Sequence, residues 1–418
     1  MRKASLLTIF LIVFIDLVGF GIVLPNLQLY GETFNIKGIF FLVLMGPAYS
    51  LFQFIFAPIL GKWSDRVGRR PVLIVSQLGT LIGFLLLFAS HYLLAVNSTL
   101  AISVLYFSRV LDGVSGGNIS IATAYIADIT TPENRAKGMG LIGAAFGIGF
   151  VFGPAIGGII GKHFGLEWVA IAAAAFSATA LILTITTLAE SHHPGDPDPE
   201  GLRRYNAATI FHVLVRPVIG MLILMAFVNG FAFAGMEQTF SLLLQQRAHL
   251  SATGAAGAAG YLFCGIGVVI AIIQGGLIGR LTKSLGEAPL VIAGPALIAV
   301  GMFVLGSAGV LFSTWTGFII GSFFLSVGSS IFNPSIQSIV SRHAAKQEQG
   351  EVLGAFQGMA SLARGLGPLL AGALFAYLWT NSPYYGAPPY YLAAILCLIV
   401  TIWAAAMRKK LTPPVSPP

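Results

Sequence analysis

Long apolar runs separated by short polar gaps dominate the pattern of this chain. A helix that crosses a membrane needs about 20 mostly apolar residues, and the sequence offers a series of such runs. We predict twelve helices, over residues 5–30, 39–62, 71–91, 99–127, 138–161, 168–190, 217–245, 255–281, 288–310, 314–341, 350–379 and 388–408. Soluble domains carry roughly 25% charged residues, whereas this chain has 9%. The pattern therefore predicts an all-α integral membrane protein.

The basic residues are distributed unequally between the two sets of gaps. Of the 23 Lys and Arg residues, 18 fall in gaps on one side of the predicted helices. These are Arg2, Lys3, Lys62, Arg66, Arg69, Arg70, Arg135, Lys137, Arg203, Arg204, Arg216, Arg280, Lys283, Arg342, Lys346, Arg408, Lys409 and Lys410. Cytoplasmic loops carry the excess of basic residues, so both termini are predicted to be cytoplasmic. The same scatter argues against nucleic acid as a partner, because a binding groove gathers its charges on one solvated face.

One polar stretch divides the chain into two sets of six predicted helices. It contains His192-His193-Pro194-Gly195-Asp196-Pro197-Asp198-Pro199-Glu200, a composition typical of a flexible linker. We predict a first bundle at 1–190, a cytoplasmic linker at 191–216, a second bundle at 217–410 and a disordered tail at 411–418.

The two halves repeat a glycine pattern. Gly61 and Gly68 after predicted helix 2 correspond to Gly279 and Gly286 after predicted helix 8. Gly140, Gly153, Pro154 and Gly158 in predicted helix 5 correspond likewise to Gly354, Gly367, Pro368 and Gly372 in predicted helix 11. Internal symmetry of this kind is typical of secondary transporters, in which two halves move about a central site.

Five charged residues lie well away from the ends of the predicted helices, at depths where a charge costs about 2.5–3.5 kcal/mol even on lenient scales. They are Asp16, Arg109, Asp112, Glu237 and Arg364. One explanation is internal ion pairing, since Arg109 and Asp112 are three residues apart and share a helix face. The other is function. Asp16 has no basic residue on its own helix, so it is the first candidate for a proton-carrying group, and Glu237 is the second.

Several uncharged polar residues accompany these charges and could line the same cavity. They are Gln53, Asn118, Asn229, Gln238, Asn333 and Gln357. Each of them could instead form hydrogen bonds between packed helices.

Enzymatic chemistry finds no support in the sequence. All seven histidines lie in gaps or at their edges, and no HExxH or phosphate-binding loop is present. We therefore predict that the protein is not an enzyme, needs no cofactor or metal, and draws on an ion gradient.

Three motifs resemble those of the major facilitator superfamily. The loop after predicted helix 2 reads Gly61-Lys62-Trp63-Ser64-Asp65-Arg66-Val67-Gly68-Arg69-Arg70. Predicted helix 4 has Arg109 followed by Gly113. The stretch before predicted helix 5 is similar to that of tetracycline-resistance-type exporters and reads Tyr125-Ile126-Ala127-Asp128-Ile129-Thr130-Thr131-Pro132-Glu133-Asn134-Arg135. Predicted helix 5 contains Gly149-Phe150-Val151-Phe152-Gly153-Pro154-Ala155-Ile156-Gly157-Gly158, which resembles the motif of drug/proton antiporters. The resemblance covers the whole chain and implies two pseudo-symmetric six-helix bundles.

The resemblance also implies roles for individual residues. Asp65 would act as a latch at the N-terminal end of helix 11 and would connect through Arg69 to Asp128, closing the cytoplasmic side. Gly61, Arg66, Gly68, Arg70 and Arg135 complete this predicted gate. Simple topology signalling by the basic residues is the alternative, and it leaves Asp65 unexplained. In the second half Lys283 replaces the acid, so a single latch is expected. The motif of predicted helix 5 implies a role at the interface of the halves, with plain tight packing as the alternative.

These observations favour a proton-coupled antiporter that exports a small amphipathic or lipophilic compound by alternating access. An importer of a small metabolite on the same fold stays open. A receptor or scaffold would have no use for Asp16 and Arg109 inside the membrane. The expected partners are a small-molecule substrate, protons and membrane lipid, and the expected form is a multi-pass monomer in the bacterial inner membrane.

Overall fold

The computed structural model describes residues 5–36, 39–130, 132–192, 207–344, 349–378 and 380–411. These residues are almost entirely α-helical, and the single β-bridge among them joins Ala308 and Phe312. Ten of the described helices are long and apolar enough to cross a membrane. The predicted fold class is therefore confirmed, and the two remaining predicted runs, 99–127 and 138–161, are also helical.

The helices of the first half follow the predicted runs. They are α1 (Leu6–Val23), α2 (Leu27–Glu32), α3 (Ile39–Val67), α4 (Arg69–Leu93), α5 (Ser98–Ser115), α6 (Asn118–Ile129), α7 (Pro132–His163) and α8 (Leu166–Thr187). The 3-10 turn Leu24–Asn26 joins α1 to α2. It contains Pro25, which cannot donate a backbone hydrogen bond to the preceding turn.

The second half contains the remaining helices. They are α9 (Ala207–Leu214), α10 (Ile219–Ala248), α11 (Ala252–Ile272), α12 (Ile278–Leu285), α13 (Glu287–Gly306), α14 (Thr314–His343), α15 (Gln349–Tyr377), α16 (Pro388–Ala406) and α17 (Arg408–Leu411). A π-helical turn, Ile273–Leu277, connects α11 to α12.

The chain forms two compact units. The first contains Met1–Leu202, Phe240–Gln245 and Leu250–Phe263, and the second contains Arg203–Thr239, Gln246–His249 and Cys264–Pro418. The main change from one unit to the other thus falls within the predicted linker, of which residues 193–206 lie outside the described part, as do 412–418 of the predicted tail.

The structure differs from the expected helices at two places. The run 99–127 is two helices, because the chain leaves the helix at Gly116 and Gly117. The end of the predicted linker is not extended chain: it forms α9, whose Val213 is fully buried in the apolar core of the second unit. Its short apolar segment, 208–215, gives α9 a face that can pack, which the polar first part of the linker lacks.

Candidate functional site

Asp16 is a buried acid on α1, in the first unit. Its side chain accepts a hydrogen bond at Oδ2 from the amide Nδ2 of Asn118, the first residue of α6. Its second oxygen, Oδ1, is buried and has no hydrogen-bond partner among the described residues. The structure thus joins two residues that the sequence singles out separately, and it leaves half of the carboxyl unsatisfied.

Arg109 and Asp112 on α5 form the ion pair that their spacing allows. Arg109 Nη1 lies 3.2 Å from Asp112 Oδ2, and both side chains are 2% exposed. The guanidinium also lies 5.5 Å from the ring centroid of Phe84, a geometry that favours a cation. Asp112 therefore has a cationic partner on its own helix, whereas the hydrogen bond that Asp16 accepts from Asn118 comes from a neutral amide.

Side chains from neighbouring helices form hydrogen bonds with the carbonyl oxygens at the break between α5 and α6. Gln53 on α3 donates from Nε2 to the carbonyl oxygen of Gly116 at 2.7 Å and to the hydroxyl of Tyr49 at 2.9 Å. Ser76 on α4 donates to the carbonyl oxygen of Ser115. Carbonyls freed where a helix breaks inside a membrane need such partners, so Gln53 has a structural role here.

The second unit contains the other predicted polar residues. Asn229, Glu237 and Gln238 on α10 are buried, and Glu237 interacts electrostatically with Arg364 on α15. The Cys397 thiol lies 3.8 Å from Asn229 Oδ1.

Gln357 and Arg364 are partly exposed, and Arg364 donates to the Ser361 hydroxyl at 2.8 Å. Asn333 on α14 is exposed.

Arg69, the first residue of α4, binds two acids at once. Its Nε donates to Asp128 Oδ2 at 3.0 Å, and its Nη1 donates to Asp65 on α3. Nη1 also donates to the Ser64 hydroxyl at 2.7 Å. The side chains of Arg69 and Asp128 are 4% and 3% exposed, whereas that of Asp65 is 39% exposed. We call Asp65, Arg69 and Asp128 the latch cluster.

The other predicted gate residues surround the latch cluster. Gly68 has a positive φ of 109°, a backbone conformation that residues other than glycine rarely adopt. Arg70 donates to the carbonyl oxygen of Ile185 at 2.8 Å. Arg66 is exposed, Gly61 lies one turn before Asp65, and Arg135 lies on α7 with its side chain outside the described part.

Three residues of the latch region were missed in the sequence. Glu190, just after α8, accepts from the backbone amides of Arg69 at 2.8 Å and Arg70 at 3.1 Å, the first amides of α4. Ser191 donates to Asp128 Oδ2 at 3.0 Å, and a ring nitrogen of His192 lies 3.0 Å from the carbonyl oxygen of Asp65. A carboxylate at a helix N-terminus is stabilising. The sequence signal that could have identified Glu190 is its position, an acid directly after a long apolar run.

The second unit has an ion pair at the equivalent place with the charges exchanged. Arg69 follows Gly68 and opens α4, and Glu287 follows Gly286 and opens α13. Asp128 is the penultimate residue of α6, and Arg342 is the penultimate residue of α14. Arg342 Nη2 lies 3.3 Å from Glu287 Oε1, which also accepts from the Ser338 hydroxyl at 2.6 Å.

The motif glycines of α7 lie against other helices with no room for side chains. A Cβ on Gly149 would lie 3.0 Å from Leu17, and one on Gly153 would lie 2.6 Å from the backbone of Gly21. Gly157 and Pro154 continue this contact with α1, and a Cβ on Gly158 would lie 2.4 Å from Gly260 on α11. The structure therefore contains the tight packing predicted for this motif.

Comparison with known proteins places this arrangement in a family. The model of the Major Facilitator Superfamily matches residues 9–309 and 277–418. The chain is 32% identical to the class C tetracycline resistance protein of Escherichia coli, over 96% of this chain and 98% of the relative. It is 30% identical to multidrug resistance protein 1 of Bacillus subtilis (strain 168), over 92% and 93% of the two chains.

Solved structures agree with the fold. The crystal structure of the human organic anion transporter MFSD10 (TETRAN) matches with a TM-score of 0.65 and 24% identity, over 96% of this chain and 98% of that one. A D-xylose–proton symporter matches with a TM-score of 0.73 and 17% identity, over 96% of both chains. The helical fold, the motifs and the full-length match all agree: this chain is a multi-pass membrane transporter of the Major Facilitator Superfamily.

Proposed function

We propose that this protein is a proton-coupled antiporter that exports a small amphipathic or lipophilic compound by alternating access. The observation that carries the proton step is the state of Asp16. Its carboxyl is buried on an apolar helix, and one of its oxygens has no hydrogen-bond partner among the residues that the structure describes. An acid in the hydrocarbon region that lacks a cationic partner is a functional site by default, whereas Asp112 is neutralised by Arg109.

The direction of transport rests on the names of the relatives. Proteins called tetracycline resistance and multidrug resistance proteins are 28–32% identical to this chain over most of its length. A transporter confers resistance most simply by removing the drug from the cell. The apolar composition of the helices, with few charges at depth, fits an amphipathic or lipophilic substrate.

The latch cluster supplies the proposed control on the cytoplasmic side. Arg69 holds Asp128 and Asp65 together, and this network connects α3, α4 and α6 into one unit. Rearrangement of such a network between two conformations is a common way of switching access. The same proposal places both termini in the cytoplasm and a monomer in the inner membrane, following the distribution of basic residues.

Transport by inside-out membrane vesicles tests the proposal. Radiolabelled tetracycline and ethidium serve as probes, and a pH gradient, acid inside, drives the reaction. We expect uphill accumulation that a protonophore abolishes. Asp16→Asn is expected to reduce it to the protonophore level while still allowing downhill exchange, because a neutral amide cannot carry the proton. Asp16→Glu and Glu237→Gln are the matched controls.

Two outcomes contradict parts of this proposal. Retained uphill transport in Asp16→Asn together with its loss in Glu237→Gln would move the proton site to α10. Accumulation of the probes by right-side-out vesicles, driven by protons in the other direction, would support the importer instead.

A further inference from the structure

The helix α6 touches the proton site at one end and the latch cluster at the other. Its first residue, Asn118, donates to Asp16. Its penultimate residue, Asp128, accepts from Arg69 Nε at 3.0 Å and from the Ser191 hydroxyl at 3.0 Å. At 1.5 Å per residue, a helix carries these two ends about 15 Å apart.

The chain leaves the helical conformation between α5 and α6. Gly116 and Gly117 are non-helical. The carbonyl oxygen of Gly116 accepts from Gln53, and that of Ser115 accepts from Ser76. Tyr49 and Leu60 press against the two glycines, at 2.9 and 2.5 Å from the positions a Cβ would take. The break ends α5 at Ser115, so α6 is a separate helix that contacts Asp16 at one end and Arg69 at the other.

The middle of α6 is attached to the latch region as well. Tyr125 is fully buried, and its hydroxyl donates to the carbonyl oxygen of Ala189 at 3.0 Å. The next residue along, Glu190, accepts from the first amides of α4. A displacement of α6 therefore acts on the start of α4 by two routes, through Asp128 and through the segment of Ala189 and Glu190.

We infer that α6 transmits the protonation state of Asp16 to the latch cluster, with Asn118 as the positioning residue at the proton site. This inference rests on the proposed role of Asp16. An ionised carboxylate only accepts hydrogen bonds, whereas a protonated one also donates. Protonation of Asp16 removes its negative charge and weakens the hydrogen bond that Oδ2 accepts from Asn118, because hydrogen bonds to a charged group are roughly twice as strong as those between neutral groups. Asn118 begins α6.

The surroundings of Asp16 leave few other charged groups to respond. Asp112 on α5 is its electrostatic neighbour and is itself paired with Arg109. The helices α6, α7 and α8 pack against α1. The sequence has no charged residue at 138–161 of α7 or at 168–187 of α8. On α6 the only charged residue is Asp128, at the latch end.

Cysteine labelling at the latch end tests the inference in the full-length protein. In a Cys264→Ser background, Val67→Cys provides an exposed reporter at the end of α3, two residues from Asp65. Its rate of reaction with a membrane-impermeant maleimide is measured in inside-out vesicles between about pH 6 and about pH 8. At each pH this rate is divided by the rate at which the same reagent reacts with a small thiol in solution. We expect a several-fold change across this range.

Variants on α6 test the proposed role of this helix separately from that of Asp16. Asn118→Ala is expected to flatten the pH response of labelling, Asn118→Gln to restore part of it, and Thr123→Ala to leave it unchanged. Thr123 also lies on α6, and its hydroxyl donates within the helix, to the carbonyl oxygen of Ile119. Folding of each variant is checked by its elution as a monodisperse species in detergent, and Asn118→Ser serves if Asn118→Ala fails this check.

Each result decides between the inference and the proposed function. A flat response in the parent, or a full response in Asn118→Ala or Asn118→Ser, overturns the role of α6. If Asp16→Asn loses uphill transport while an Asn118 variant keeps the full response, only the role of α6 is wrong. If Asp16→Asn keeps both uphill transport and the pH response, the proposed proton site is wrong.

Discussion

At the scale of single residues, burial distinguishes the two acids that Arg69 binds. The Asp65 side chain is 39% exposed and that of Asp128 is 3% exposed. Exposed ion pairs contribute about 0.2–1 kcal/mol, whereas removing one partner of a buried pair costs about 3–5 kcal/mol. Asp128 is therefore the stronger of the two contacts, although Asp65 is the residue that the family motif emphasises.

We predict that Asp65→Asn slows transport several-fold and that Asp128→Asn nearly abolishes it. The larger effect follows because Asp128→Asn leaves Arg69 buried with its main partner neutral. The measurement is the initial rate of probe uptake in inside-out vesicles, normalised to the amount of inserted protein. Arg66→Gln, at an exposed position of the same loop, is the control. Normal transport by Asp65→Asn would reduce the loop to a topology signal.

The candidate site residues could be chosen from the sequence, but not all of their contacts. Asp16 and Asn118 were both recognised, because a charge or an amide inside an apolar run is conspicuous. Their pairing was not, since they are 102 residues apart and no periodicity connects them. Glu190 was missed for a related reason: it ends the predicted helix 168–190, and only the folded chain brings it to the start of α4.

At the scale of helices, the contact between α1 and α7 depends on the absence of side chains. Gly153 and Gly21 face each other, and a Cβ on Gly153 would lie 2.6 Å from two backbone atoms of Gly21. In lipid, helices associate through close approach of this kind because the hydrophobic effect contributes little between them. Backbone atoms cannot be moved aside as a flexible side chain can.

We predict that Gly153→Ala destabilises the protein by about 1–3 kcal/mol, the usual cost of overpacking. Gly265→Ala on α11 is the matched control, because nothing lies within 4 Å of its added Cβ, and alanine in a helix gains about 0.5–1 kcal/mol over glycine. Thermal unfolding in detergent measures both. An equal melting temperature for the two variants would show that α1 and α7 can separate at little cost.

The helices themselves were predictable because their length is set by the bilayer. The break at Gly116 and Gly117 was not, because the apolar pattern continues through it and glycine is common in membrane helices. Only the carbonyl partners Gln53 and Ser76, which come from other helices, show that the chain leaves the helix there. The π-helical turn at Ile273–Leu277 escaped for the same reason.

At the scale of the whole molecule, charge alone predicts the orientation in the membrane. The positive-inside rule depends on Lys and Arg counts in short loops, and 18 of the 23 lie on one side of the predicted spans. An even number of spans then brings both termini to the same face.

We predict that a cysteine at Gly195 or at the C-terminus reacts only from the cytoplasmic side, and one at Lys37 or His249 only from outside. His249 is exposed and has a positive φ of 53°, as expected for a turn between α10 and α11. Labelling of intact cells with an impermeant reagent, before and after permeabilisation, measures this. A position near Gly195 that reacts in intact cells would require an odd number of spans before it.

The exchanged ion pairs, Arg69 with Asp128 and Glu287 with Arg342, have a consequence for the history of the chain. If both halves descend from one six-helix unit, two substitutions separate the present polarities. Either substitution alone would have put two acids or two bases opposite each other. The route must then have passed through a neutral residue at one of the positions, or through a time when the contact was open. Relatives that diverged early should preserve such an intermediate pair.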